Sequence, residues 1–288
     1  MKKLIVTLLM GWGIICAIPK ANAMEFKEHI GKEFALPGGA ASSTLFIYNI
    51  SGFIKVEGYS GDKVLLEMDK TISADDEKTL EQGKKEFRLA FNQNSDTIMA
   101  YIAEPYDSRP HRNWKYNDDR RDIDYNYNVD FTVKVPYSMN LHISTVNDGI
   151  ITVNNVSGTL YVNNVNEEIS IKNAKGTTYA HTVNGDVSVN YLDNPAGESS
   201  YYTINGDIRI SYQPNLSADL QFKSMHGDFY TDFPEIELLP ASVTKVQEKK
   251  GNGTVYKLNT TTAVRFGKGG KVFKFETLNG DVYIKKQS

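Results

Sequence analysis

A five-residue phrase recurs along the second half of the chain, and its spacing constrains the fold more than any other feature. It reads Thr182-Val183-Asn184-Gly185-Asp186, Thr203-Ile204-Asn205-Gly206-Asp207, Ser224-Met225-His226-Gly227-Asp228 and Thr277-Leu278-Asn279-Gly280-Asp281. Looser copies occupy Thr145-Val146-Asn147-Asp148-Gly149 and Asn164-Val165-Asn166-Glu167-Glu168. Measured from the apolar second position, the steps are 19, 18, 21, 21 and 53 residues. A period of roughly 20 residues marks stacked units, each too small to bury a core alone.

The residues after each phrase alternate. Val183/Val187/Val189, Ile204/Ile208/Ile210 and Leu278/Val282/Ile284 fall on one side of a strand and would share a buried face. Asn-Gly supplies positive φ at low steric cost, as a sharp corner would need. Such corners serve either an antiparallel meander or a coil whose turns stack at ~4.8 Å in parallel register. The near-constant full step favours the coil. In a coil, Asn147, Asn166, Asn184, Asn205 and Asn279 would form an amide ladder, interrupted at His226.

Elsewhere the pattern varies. Met24 to Leu36 reads as a lead-in, and strands are expected across Thr44 to Lys70, where the repeat begins. Ser73 to Phe91 is the one helix candidate: Ser73 and Asp76 form a capping box, Leu80, Phe87 and Phe91 share a face, and Gly83 argues against it. Two insertions are expected, near 104–128 and 233–271, the second with turns at Gly251-Asn252-Gly253 and Gly267 to Gly270. The fold class is therefore all-β: a solenoid resembling a parallel β-helix over residues 44–288, with one short surface helix.

Lys2 and Lys3, the apolar run Leu4 to Ile18 and Ala21-Asn22-Ala23 make residues 1–23 a secretory signal peptide, cleaved near Ala23. Export would leave the protein in the periplasm or on the outer cell surface, with no membrane span in the mature chain. Cys16 is the only cysteine, so the mature chain has neither disulfides, thiolate catalysis nor cysteine-based zinc. With 32 Lys+Arg against 35 Asp+Glu there is no basic excess to hold nucleic acid.

Val133-Lys134-Val135-Pro136, Thr145 to Val153, Thr182 to Val189 and Thr277 to Ile284 resemble a bacterial envelope family, the putative-adhesin family of β-strand-repeat domains, across about Thr44 to Ile284. The resemblance implies a single-chain solenoid on an exported protein. Its biochemical role is undefined.

No residue set identifies a reaction, and no cofactor or metal is expected. Asp186, Asp207, Asp228 and Asp281 would stack as a carboxylate column that could attract Ca²⁺, but turn residues facing water and bonding backbone amides explain them more simply. The best ligand candidates are Arg112, Trp114, Tyr116, Tyr125 and Tyr127, in a loop that either binds or merely covers an end of the solenoid. Tyr161, Tyr179, Tyr191, Tyr201, Tyr202 and Tyr212 suggest an aromatic stripe, for which cross-rung packing is the commoner cause. The expected function is non-enzymatic presentation of an extended surface to a protein or a cell-envelope polysaccharide. The alternative is a glycan hydrolase or lyase on a β-helix, which would need a carboxylate pair across a cleft.

Overall fold

The structure, a computed structural model, describes residues 23–110, 122–250 and 253–287, without side chains over 241–261. Residues 1–22 of the expected signal peptide, 111–121 of the expected first insertion and 251–252 of the first turn expected in the second lie outside the described residues. Strands are numbered in chain order. β1 (Met24–Ala35) is followed by β2 (Thr44–Tyr48), β3 (Ile54–Tyr59) and β4 (Lys63–Ala74), then α1 (Glu77–Glu86), β5 (Arg88–Gln93), β6 (Thr97–Glu104) and β7 (Asn126–Pro136). Strand pairs follow: β8 (Asn140–Ser144) with β9 (Ile151–Asn154), β10 (Leu160–Asn163) with β11 (Ile169–Ala174), β12 (Thr178–His181) with β13 (Val187–Tyr191), and β14 (Ser199–Tyr202) with β15 (Ile208–Tyr212). β16 (Ala218–Lys223) pairs off with β17 (Phe229–Thr231). A hairpin of β18 (Ile236–Lys250) and β19 (Gly253–Phe266) intervenes before β20 (Lys271–Glu276) and β21 (Val282–Lys286).

Each coil gives one strand to each of two facing sheets. Sheet A runs β1-β4-β7-β3-β9-β11-β13-β15-β21-β17, and sheet B runs β18-β19-β16-β20-β14-β12-β10-β8-β2-β6-β5. Neighbouring coils pair in parallel, as in Ile169↔Val187 and Leu160↔Thr178. Strand alternation turns Ile208, Ile210, Val282 and Ile284 inward, where all are buried. Burial of each such side chain contributes about 1.5–3 kcal/mol. Parallel coil stacking is the dominant topology, with antiparallel pairing at the ends.

The order of coils in space departs from their order in the chain. The β20–β21 coil lies between β14–β15 and β16–β17, paired in parallel on both sides. At the other end the β2–β3 coil lies between β8–β9 and β6–β7. The 53-residue step therefore marks a return into the stack.

The corner glycines serve close approach rather than positive φ. Gly149, Gly185, Gly206 and Gly227 are outside the left-handed region, and Gly280, at φ 156°, sits at its margin. A Cβ on Gly206 would lie 2.1 Å from the Gly185 carbonyl oxygen, and one on Gly227 would lie 1.8 Å from that of Gly280. The stacked backbones leave no room for a methyl group.

Both ends correct the sequence reading. The expected lead-in is strand β1, paired antiparallel with β4 along its whole length. The helix is shorter than expected because Ser73 and Ala74 stay in β4 and Phe91 joins β5. Its N-cap is Asp76, whose carboxylate accepts from Thr79 N at 2.9 Å. Gly83 is buried and lets α1 sit directly on the sheet: a Cβ there would meet Tyr125 Cγ at 2.8 Å and Ile72 Cγ2 at 2.9 Å. The expected second insertion contains the β18–β19 hairpin, which joins sheet B through pairing of β19 with β16.

If corner packing sets the coil spacing, Gly206→Ala should destabilise the fold by about 1–3 kcal/mol, as overpacking does. A lower urea midpoint at unchanged slope would register it; an unchanged midpoint would refute the packing argument.

Candidate functional site

The corner between the sheets carries three polar rows. In the outermost, Asn166 Nδ2 donates to Asn147 Oδ1 at 2.7 Å, Asn184 to Asn166 at 3.1 Å, Asn205 to Asn184 at 2.7 Å and Asn279 to Asn205 at 2.7 Å. Because the β20–β21 coil inserts before β16–β17, Asn279 follows Asn205 directly. His226 lies at the end of the row and does not interrupt it, bridging to Asn279 through the backbone. Sequence reasoning had misplaced that break.

The second row is buried and was missed. Thr182 Oγ1 donates to Glu167 O at 2.9 Å, Thr203 to Gly185 O at 2.8 Å and Thr277 to Gly206 O at 3.2 Å, while Thr145 serves Gly52 O at 3.0 Å. Asn164 replaces threonine in one coil and donates to Gly149 O at 3.0 Å. The recurring Thr at the first phrase position was the available signal. Each side chain satisfies a carbonyl that stacking places away from water.

The third row is the carboxylate column. Asp186 Oδ1 accepts from Asp207 N at 2.8 Å, Asp207 Oδ1 from Asp281 N at 2.8 Å and Asp281 Oδ1 from Asp228 N at 2.9 Å. Arg209 spans the remaining oxygens of Asp186 and Asp207, and Tyr283 Oη donates to Asp281 Oδ2 at 2.9 Å. These carboxylates are engaged with the protein itself. Among the described residues, no group of three or more His, Cys, Asp or Glu is arranged to hold a metal ion.

The six tyrosines do not form one stripe. Tyr191, Tyr201 and Tyr212 share inward strand parity and are buried, with Tyr191 Oη and Tyr201 Oη 2.7 Å apart and Tyr212 Oη donating to Tyr201 Oη at 3.1 Å. Desolvation raises the pKa of all three phenols. Tyr161 and Tyr179 instead face solvent on sheet B, continuing a row from Phe46 and His142. Successive ring centroids lie 5.2, 5.5 and 4.5 Å apart, and the Tyr161 and Tyr179 planes differ by 5°. His181 and Tyr202 stand on the same face at 6.0 Å, and His181 Nε2 is 2.9 Å from Ser200 Oγ. Stacked rings occupy each other's faces, so this surface presents edges, hydroxyls and imidazole nitrogens.

Of the expected loop residues, Arg112, Trp114 and Tyr116 lie outside the described residues. Tyr125 is buried beneath α1, and Tyr127 packs 5.0 Å from Phe87. Burial pushes the Tyr127 phenol up to about 12. Both tyrosines line a 590 Å³ cleft with Ile50, Ser51, Asn147 and Asp148. The structure thus brings the loop's C-terminal flank against the first amide of the corner ladder.

Residues 128–284 match the Toastrack DUF4097 family. The chain belongs to that family. The Toastrack match spans β7 to β21, the stretch in which the phrase recurs. No curated protein matches the chain. Among solved structures, it is similar to a "putative cell adhesion protein" from Clostridium sporogenes at 10% identity, covering 92% of this chain and 100% of that one, with a TM-score of 0.39. A "putative adhesin" from Bacteroides fragilis has 13% identity, coverage of 90% and 97%, and a TM-score of 0.38. A "putative lipid binding protein" from Parabacteroides distasonis has 10% identity, the same coverage and a TM-score of 0.26.

The ladder makes a graded prediction. Asn205→Ala removes one accepted and one donated side-chain bond, whereas Asn147→Ala removes only the bond accepted from Asn166. At about 1 kcal/mol per bond, chemical denaturation should show roughly twice the loss for Asn205→Ala. Equal losses would mean the bonds contribute little.

The sheet B histidines make another. Burial lowers the pKa of His142 and His181, so between their folded values and about 6.5 the unfolded chain binds more protons. Stability should therefore fall as pH drops through about 6.5 and level off once the folded imidazoles titrate. His29 has the opposite sign. Hydrogen bonds to Asp69 and Glu67 raise its pKa, so its contribution is present in full below about 6.5 and is lost as pH rises through its folded value. A His142→Phe variant isolates one residue: its melting temperature should drop less than wild type between about pH 7.5 and pH 5. An equal drop would show that His142 is not responsible.

Proposed function

We propose that the protein is exported, with cleavage near Ala23, and serves as a non-catalytic recognition module of the cell envelope. One observation carries this reading: a solvent-facing row of rings on sheet B, held by a rigid backbone stack. Tyrosine, phenylalanine and histidine presented together on a pre-ordered surface lose little side-chain freedom when a partner docks. Edge-on rings and hydroxyls suit a protein partner, because a sugar ring would need an open aromatic face.

The glycan-cleaving alternative draws no support from the carboxylate column, whose members are bonded to backbone amides, Arg209 and Tyr283. A photo-crosslinking residue placed at Tyr161 in the producing cell should yield a discrete adduct with an envelope protein. The adduct should disappear when His142 and Tyr179 are changed to Ser, and a probe at Ser188, on sheet A, should give none. Equal adducts at both positions, or none at Tyr161, would defeat the proposal. Release of reducing ends from envelope polysaccharide would defeat the non-catalytic part, and an unprocessed N-terminus the exported part.

A further inference from the structure

We infer that the cleft at the β7 end of the corner ladder is a binding site for a neutral saccharide, separate from the ring row of sheet B. Its volume of 590 Å³ lies within the ~300–1,000 Å³ typical of small-ligand sites. The inference rests on which polar groups remain unused there.

Along the corner, amides are engaged coil by coil. At the cleft the pattern stops. Asn147 accepts from Asn166 through Oδ1, but among the described residues its Nδ2 has no partner, because the next coil offers Ser51 in place of asparagine. Register brings Thr71 opposite Asn128 and Ser73 opposite Asn126 across β4 and β7. All four line the cleft, and among the described residues none makes a side-chain hydrogen bond. Two amides, two hydroxyls and the terminal ladder amide thus converge on one space, supplying planar donor–acceptor pairs and hydroxyls that match the vicinal hydroxyls of a sugar.

Charge and wall chemistry narrow the ligand class. Among the described residues, Asp148 is the only charged one lining the cleft. It holds φ 55°, and its Oδ2 accepts from Ser51 Oγ at 3.0 Å, leaving Oδ1 as a further acceptor. Among the described residues no Lys, Arg or His lines the cleft, so against these walls phosphate, sulfate or an acidic sugar would meet the Asp148 carboxylate. Ile50, Ile123 and Tyr127 give apolar patches for the C–H faces of a sugar ring, yet the interspersed polar groups exclude a lipid chain. A neutral polyol satisfies both requirements.

Saturation-transfer NMR and calorimetric titration of the full mature protein test the inference, with neutral gluco-, manno- and chito-oligosaccharides against oligogalacturonates. At least one neutral series should bind. Asn126→Ala and Asn128→Ala should each weaken it roughly tenfold, as expected for loss of one good hydrogen-bonding group, at unchanged melting temperature. Ser73→Ala gives a second probe if Asn128→Ala fails to fold. A His142→Ser/Tyr161→Ser double variant should bind the saccharide as wild type does, which separates this site from the sheet B surface. Absence of binding by every neutral series, equal or tighter binding of oligogalacturonates, or affinity unaffected by the Asn126 and Ser73 changes would overturn it.

Discussion

Close contact between stacked corners governs the structure. The phrase glycines bring one coil's backbone against the carbonyl of the next, at distances where a Cβ would fall as near as 1.8–2.5 Å from a backbone atom. At that separation every polar group of the corner must bond along the stack or be stranded. Thr203 reaches back to the Gly185 carbonyl, Asn205 to the Asn184 amide, and the Asp207 N–H to the Asp186 carboxylate. One residue of each type per turn therefore suffices to specify the register. A one-residue slip would misalign all three rows and turn the buried Ile208 and Ile210 outward.

Stacking alone leaves the ends exposed, since a terminal coil has a neighbour on one side only. Here each end is closed by a departure from chain order. The β2–β3 and β20–β21 coils are flanked on both sides, so neither is left to fray. Beyond them, antiparallel strands finish the sheets. β1 carries Lys27, Glu28, Lys32 and Glu33 along an exposed edge, and His29 is held by Asp69 at 2.7 Å and Glu67 at 2.9 Å. Charges of this kind discourage edge-to-edge association. At the opposite end, β17 keeps the sheet A edge to three residues.

The parts of the fold legible in the sequence were those repeated at fixed spacing. Asn184 and Asn205 announced their alignment because identical groups at one step can only be satisfied by stacking. Strand parity also held information that residue type alone did not. Tyr161 stands between Leu160 and Val162 and must face out, whereas Tyr212 shares parity with Ile208 and Ile210 and must face in. Grouping them as one stripe ignored that alternation. Gly83 looked unfavourable for a helix by propensity, yet contact with Tyr125 and Ile72 outweighs a local cost of roughly 1 kcal/mol. The insertion of the last coil was hidden, because a 53-residue step fixes how far apart two phrases lie and leaves open which neighbour the later one joins. Likewise, the cleft depends on β4 and β7 pairing across more than fifty residues, a contact that no local pattern records.

The same regularity explains where recognition can reside. Inward and corner positions are bound by the stack, so a change there disturbs the neighbouring coils. Outward positions are free to differ, and on sheet A they do: Thr152, Ser170 and Ser188 give way to Arg209, Tyr283 and Tyr230 along a single row. Arg209 and Tyr283 are absorbed by the carboxylate column, which leaves that surface internally satisfied. On sheet B the row of Phe46, His142, Tyr161 and Tyr179 uses its faces for mutual stacking but keeps its edges and polar atoms outward. Where asparagine yields to Ser51 the corner ladder ends, and among the described residues the Asn147 Nδ2 has no partner. Polar groups that repetition leaves over therefore collect at two places, the outward row of sheet B and the end of the corner ladder.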